Sequence, residues 1–181
     1  MLPSALEASE NLFIRRWGEM GASWGISRTM AEIHALLYLS SEPLCTDDVM
    51  ERLEVSRGNA SMNLRQLVNW GLIQRIHRRG DRKEYFDAER DVWGMFDTIT
   101  RERRRREVEP IVETIERCQA MIEKEKANLK SPAKEQAEVY LQRFRAMLEF
   151  FESMNSMFNL LMRTGPEGLK KITGLLRKTM K

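Results

Sequence analysis

Seven basic side chains, Arg57, Arg65, Arg75, Arg78, Arg79, Arg82 and Lys83, crowd the stretch SRGNASMNLRQLVNWGLIQRIHRRGDRKEYF, against only Asp81 and Glu84. The local surplus is five positive charges, while the whole 181-residue chain carries +3, so the remainder is slightly acidic. Guanidinium groups form paired hydrogen bonds with phosphate oxygens and with the edge of guanine. The chemistry open to such a cluster is therefore the grip of a polyanion.

Other chemistry finds little support. The two cysteines, Cys45 and Cys118, are far apart and form no CxxC pair; neither a disulfide framework nor a zinc site is expected, and each reads as a small apolar residue rather than a thiol sensor. The two histidines, His34 and His77, sit in apolar-periodic segments with no nucleophile or second ligand nearby, which implies structural roles. No paired-carboxylate motif, Gly-rich phosphate loop or nucleophile elbow occurs. The expectation is a protein that is not an enzyme, with no cofactor and no metal.

The elements that position the basic cluster are mostly helical. Hydrophobic residues make up 42% and charged residues 31%, with few Gly and Pro, which favours a mainly α protein. No apolar run approaches the roughly 20 residues that cross a bilayer, and no secretory signal opens the chain; it reads as cytoplasmic and free of membrane. In the first segment Leu6, Phe13, Trp17, Met20 and Trp24 form a helical stripe with Ser4 as its cap. Gly18, Gly21 and Gly25 serve either close approach of a neighbour or a loosened end. A second helix buries Met30, Ile33, Leu36, Leu37 and Leu39 and stops before Pro43. Thr46 caps a short helix, DDVMERL, whose first-turn carboxylates suit the helix dipole.

Ser56 caps the next helix. From Arg57 to Trp70, Ala60, Leu64, Leu67 and Val68 share one arc, leaving Gly58, Met62, Arg65 and Asn69 on the other, and Gly71 ends it. LIQRIH and KEYFD then read as strands turned by Gly80, a β-hairpin with a basic tip. Helix, short helix, turn, helix and hairpin in this order make a winged helix-turn-helix of three helices and a β-hairpin wing. In that geometry one helix enters the major groove of DNA and the hairpin reaches the backbone or minor groove. Ser56, Arg57, Asn59, Ser61, Met62 and Arg65 would face the bases and phosphates. Arg65 suits guanine and Asn59 adenine. Arg78, Arg79, Arg82 and Lys83 would engage phosphates or a narrow minor groove.

Beyond Asp87 the pattern is all helical. Val92, Phe96 and Ile99 open a helix, RERRRR follows at residues 101–106, and Pro110 must kink or restart it. Two readings of the arginine run stand: flanking contacts to DNA, or a solvated helix side. Ile111, Val112, Ile115, Cys118 and Ile122 carry the stripe on. A second long helix starts near Ser131 and Pro132, with Ala137, Tyr140, Leu141, Phe144, Met147, Leu148, Phe151, Met154, Phe158 and Leu161 extending on the order of 40 Å. The small domain cannot cover so long a stripe. A two-fold dimer, in which long N- and C-terminal helices bury one another, can. Leu169, Ile172, Leu175 and Leu176 would form a last amphipathic helix packed on the dimer or lying on a membrane. The expected organisation is residues 1–27 as an N-terminal helix contributing to dimerisation, 28–90 as the winged helix and 91–181 as a helical dimerisation region.

AEIHALLYL, SRGNASMNLRQLVNWGLI and RRGDRKEYFDAERDVWGMF resemble the MarR-type winged-helix regulators, more closely their GbsR branch, over residues 10–120. The resemblance implies a homodimeric transcriptional regulator, commonly a repressor, on a palindromic operator in double-stranded DNA. It implies contacts from Ser56, Arg57, Asn59, Ser61, Met62 and Arg65 and from the wing at Arg79, Asp81 and Arg82, with Asp81 bracing Arg82. It also implies a small-molecule effector, choline or betaine-like, between the dimerisation and DNA-binding regions, where Trp17, Trp24, Trp93, Phe96, Tyr140 and Phe144 are the available aromatics. The alternatives are a winged-helix protein-interaction adaptor and a non-specific, nucleoid-type DNA binder.

Overall fold

Capping chemistry and glycine conformation set most helix ends. In the computed structural model, which describes the backbone of residues 4–179 and the side chains of residues 4–165 and 168, the first helix is α1, Ser4–Ser23. Gly25, at φ 79°, turns the chain into α2, Arg28–Leu39, whose first-turn amide at Met30 donates to the Ser27 hydroxyl at 3.3 Å. A two-residue strand, β1 (Leu44–Cys45), precedes α3, Thr46–Leu53. Thr46 is already helical, and the cap position falls to Cys45, whose amide donates to Asp48 Oδ2 at 2.7 Å. Helix α4 spans Arg57–Trp70 and stops at Gly71 (φ 76°), a conformation that suits glycine.

Strands β2 (Ile73–His77) and β3 (Glu84–Ala88) form the expected hairpin, Ile73 opposite Ala88 and His77 opposite Glu84. β1 adds to its other side, Leu44 against Phe86, giving the antiparallel order β1-β3-β2. The chain continues through α5 (Val92–Arg103), a π-helical turn at Arg104–Val108, α6 (Glu109–Glu125), a 3-10 turn at Lys126–Asn128 and α7 (Ala133–Thr179), which is broken at Gly165. Two compact units result, the first ending at Ile99 and the second starting at Thr100. The boundary thus lies inside α5, and α1 belongs with the winged helix.

In the first unit Ile14, Ile33, Leu36, Leu37, Val49, Leu64, Leu67 and Phe86 make one core. The face that α1 buries is Ile14, Gly18 and Gly21; Leu6 and Trp24, from the expected stripe, are exposed. The glycines allow this. A Cβ on Gly21 would stand 2.6 Å from the Ala31 Cβ, and one on Gly18 would stand 2.5 Å from Glu32 Cγ. Close approach is their use, while Gly25 supplies the left-handed turn. On α2, Leu39 is exposed because it lies on the solvent side of the last turn.

In the second unit α6 and α7 run antiparallel, since the pairs Lys126 with Glu138 (2.9 Å), Glu123 with Arg145 (3.4 Å) and Arg104 with Asn155 step in opposite directions along the two helices. Ile115, Ala137 and Leu141 are buried. Pro110 causes no sharp break: the Glu109 amide donates to the Arg104 carbonyl five residues back, and this wide turn absorbs the missing proline donor. The side chains of Leu169, Ile172, Leu175 and Leu176 lie outside the described residues.

Candidate nucleic-acid interface

Helix α4 presents an open, polar face. Its amide at Asn59 donates to the Ser56 hydroxyl at 3.4 Å, and Ala60, Leu64 and Leu67 fix it to the core. Ser56, Arg57, Gly58, Met62, Arg65, Gln66 and Asn69 are left exposed, with Met62 at 52%. Arg65 makes a contact only with its own helix, Nε to the Ser61 carbonyl at 3.3 Å, so its guanidinium is paired with no carboxylate among the described residues. Asn59 is half-buried, and its Oδ1 accepts from the buried Asn63 Nδ2 at 2.6 Å. That oxygen keeps a second lone pair, so the bond to Asn63 orients the Asn59 amide without using up its acceptor. Gln66, one turn beyond Met62, joins the exposed face; its i, i+4 spacing from Met62 is the signal that identifies it.

The wing turn is braced from within, while two of its arginines stay open. Arg78 lies 4.3 Å over the Tyr85 ring and 3.4 Å from Glu42. Gly80 turns at φ 86°. Asp81 accepts from the Lys83 amide at 2.9 Å and from the Tyr85 hydroxyl at 2.7 Å, and these two donors lower its pKa. The expected brace of Arg82 by Asp81 is thus replaced by a clasp on the turn itself: the carboxylate is occupied by the Lys83 amide and the Tyr85 hydroxyl. Arg79 and Arg82 are exposed and carry no carboxylate partner among the described residues.

A link between helix and wing comes from Asp47 in the first turn of α3. One carboxylate oxygen pairs with Arg57, and the other lies 3.1 Å from Lys83 Nζ. Both cations hold the Asp47 pKa down, Lys83 most, and Asp47 in turn raises that of Lys83. The predicted contacts therefore fall into two groups: Arg65, Arg79 and Arg82 without carboxylate partners, and Arg57, Lys83 and Arg78 held within the domain. The arginine run 101–106 is of the second kind. Arg103 bonds Glu107 at 3.1 Å, Arg105 bonds Glu102 at 2.7 Å, and Arg104 lies 3.6 Å from Glu109, which favours the solvated-side reading.

The aromatics named for a ligand are divided between the two units. Trp17 packs with Phe13 (5.5 Å between ring centres) and His34 (6.1 Å), and lines a cavity with Tyr38, Val92 and Met95. Trp24 and Phe96 are exposed and Trp93 is not in the cavity wall. Tyr140 and Phe144 belong to the second unit, 6.5 Å apart on one face of α7. No helix among the described residues is long and apolar enough to cross a membrane, and no group of three or more His, Cys, Asp or Glu among them is placed to hold a metal.

An exposed basic helix beside a basic hairpin, both seated on a three-helix core, defines a winged helix-turn-helix domain of the DNA-reading kind. Residues 24–84 match the family model described as MarR family. The HTH-type transcriptional repressor GbsR of Bacillus subtilis (strain 168) is 28% identical over 121 residues, which cover 67% of each chain. The HTH-type transcriptional repressor OpcR of the same organism is 20% identical over 94 residues, 52% of this chain and about half (51%) of OpcR. Among solved structures, a transcriptional regulator aligns with TM-score 0.49 and 17% identity over 84% of this chain and 99% of that one. The Staphylococcus aureus MepR-DNA complex aligns with TM-score 0.38 and 16% identity over 82% and 99%.

Proposed function

We propose that the protein is a homodimeric, sequence-specific DNA-binding transcriptional regulator that represses from a palindromic operator in the cytoplasm and changes its grip when a small molecule binds. The observation that carries the reading is the placement of Arg65 on the open face of α4 with Arg79 and Arg82 at the open tip of the wing, all without a carboxylate partner among the described residues. Arg65 takes the guanine contact in the major groove, and Arg79 and Arg82 take phosphates or the minor groove. Ser56, Arg57, Ser61, Met62 and Lys83 complete the contact surface, while Arg78 and Asp81 shape the wing and Asn59 contributes from an amide oriented by Asn63.

Support for the dimer comes from α7. Phe150 is 58% exposed, Met157 59% and Leu160 58%, with Tyr140, Met147 and Met154 also open. Apolar side chains in such number on one helix favour burial by a second copy. Repression and a choline- or betaine-like effector rest on the likeness to GbsR-type repressors.

Selection of bound sequences from random duplexes by the purified protein tests the reading. A recovered inverted repeat that resists competition by random DNA is the expected result, with log affinity falling linearly in log salt. Enrichment of nothing with tight, salt-sensitive binding would instead mark a nucleoid-type binder. No binding at all would mark an adaptor.

A further inference from the structure

We infer that Asn63, a buried residue of α4, is a positioning residue for base reading: it locks the Asn59 side-chain amide in the orientation that matches adenine in the major groove. The inference rests on the proposed reading of α4 as the helix that enters the groove. Asn63 is 0% exposed and lies on the buried side of α4 with Ala60, Leu64 and Leu67. Its Nδ2 donates to the Asn59 carbonyl at 2.9 Å and to Asn59 Oδ1 at 2.6 Å.

The backbone bond fixes both amides. A carbonyl oxygen only accepts, so the Asn63 atom that faces it is the amino nitrogen; that nitrogen only donates, so the Asn59 atom beside it is the oxygen. Both donors of Asn63 therefore go to one residue, a single turn back along its own helix. Its Oδ1 meets no partner among the described residues. An amide that knits a core bonds across elements. This one is hydrogen-bonded to α4 alone, and its unmet oxygen costs stability that an apolar side chain of similar size would not.

What the two bonds achieve lies at Asn59. That residue is half-buried in the first turn of α4, where its backbone amide donates to the Ser56 hydroxyl, and the start of such a helix is the part that meets base edges. With Oδ1 held toward Asn63, the Asn59 Nδ2 keeps its donors and Oδ1 keeps one lone pair. Adenine presents the N7 acceptor beside the N6 donor, the complement of an amide in that order. A half-turn of the amide sets donor against donor and loses the match. A free asparagine holds both orientations, and the bond to Asn63 removes the wrong one before contact.

Sequence selection from random duplexes with the parent chain, Asn59→Ala, Asn63→Leu and the double variant tests the inference, with thermal unfolding measured alongside. The parent is expected to select adenine at one position of each half-site, and Asn59→Ala to lose it. Asn63→Leu is expected to lower the adenine preference at that position about two- to tenfold, to leave the other positions as they were, and to keep or raise the unfolding midpoint. Added to Asn59→Ala it should change base choice no further. Asn63→Ser, whose shorter side chain bonds only the carbonyl four residues back, should give the same loss of preference and serves if the leucine variant does not fold. Unchanged adenine preference in these variants, or an even loss at every position with a lower unfolding midpoint, would overturn the inference. A parent that selects an operator in which Asn59→Ala alters no base overturns it while the DNA-reading function stands; a parent that selects no sequence overturns both.

Discussion

Asp47 holds Lys83: the carboxylate in the first turn of α3 lies 3.1 Å from the ammonium of the residue just before β3, the central strand, while its other oxygen pairs with Arg57 at the start of α4. One acidic residue therefore joins α4 to the wing, the two elements proposed to face DNA. Phosphates must compete with it for two cations.

Asp47→Asn is expected to raise affinity for random duplexes severalfold at low salt and to lower the ratio of operator to random binding, because two cations are released to phosphates. Fluorescence anisotropy against both duplexes measures this. Unchanged or weaker random binding would show that the clamp only orders the surface.

The same pairing has a pH signature. Asp47 has its pKa depressed by Lys83 and Arg57 in the folded chain, so its contribution is present above the ordinary carboxylate range and is lost as pH falls through the lower folded value. Wing amides are expected to keep their exchange protection at pH 5 to 8 (approximate bounds) and to lose part of it below about pH 4. Asp47→Asn should remove that step. The surface exposure of the group keeps the effect on global stability small.

Arg65→Ala is expected to relax base choice at one position of each half-site, at a cost of about 1–3 kcal/mol on the operator. Arg82→Ala should weaken all duplexes alike and reduce the salt slope by about 1. Sequence selection repeated with each variant separates the two; identical behaviour would remove the distinction between base and phosphate contacts.

Phe150→Asp places a charge on the exposed face of α7, where Phe150 packs edge-on against Phe151 at 5.7 Å. Sedimentation is expected to show monomer at micromolar concentration, with operator affinity lost because one half-site holds too little. A stable dimer would move the interface elsewhere.

Gly21→Ala is expected to destabilise the fold by about 1–3 kcal/mol in urea unfolding, although alanine is the better helix former by about 1 kcal/mol. The new Cβ would meet Ala31 Cβ at 2.6 Å, a short side chain that cannot swing aside. Stabilisation would mean that α1 can shift freely on α2.

Local patterning made the helices, the cap at Ser56, the stop at Gly71 and the turn at Gly80 legible, because each depends on residues a few positions apart. The β1 strand was not legible: Leu44 and Cys45 form no alternating run, and their partners Phe86 and Tyr85 are 40 or more residues away. Asp47 read as a helix-dipole acid for the same reason, its partners being ten and thirty-six residues on. Ile14 escaped because Gly18 and Gly21, not large side chains, mark the buried side of α1. Asn63, fully buried and bonded to Asn59, carries no apolar signal that would place it on the buried side of α4. Arg65 and the wing tip were legible as candidate contacts from charge and spacing alone, whereas the cavity needed α1, α2 and α5 brought together.

With Tyr85, Asp81 and Arg78 already locked to one another around the hairpin turn, the proposed docking would need to immobilise little more than two fingertips, Arg79 and Arg82. Freezing a long side chain costs about 0.5–1.5 kcal/mol, so most of the ordering cost of this arm is met during folding rather than on encounter. The protein arrives with its hand already half closed.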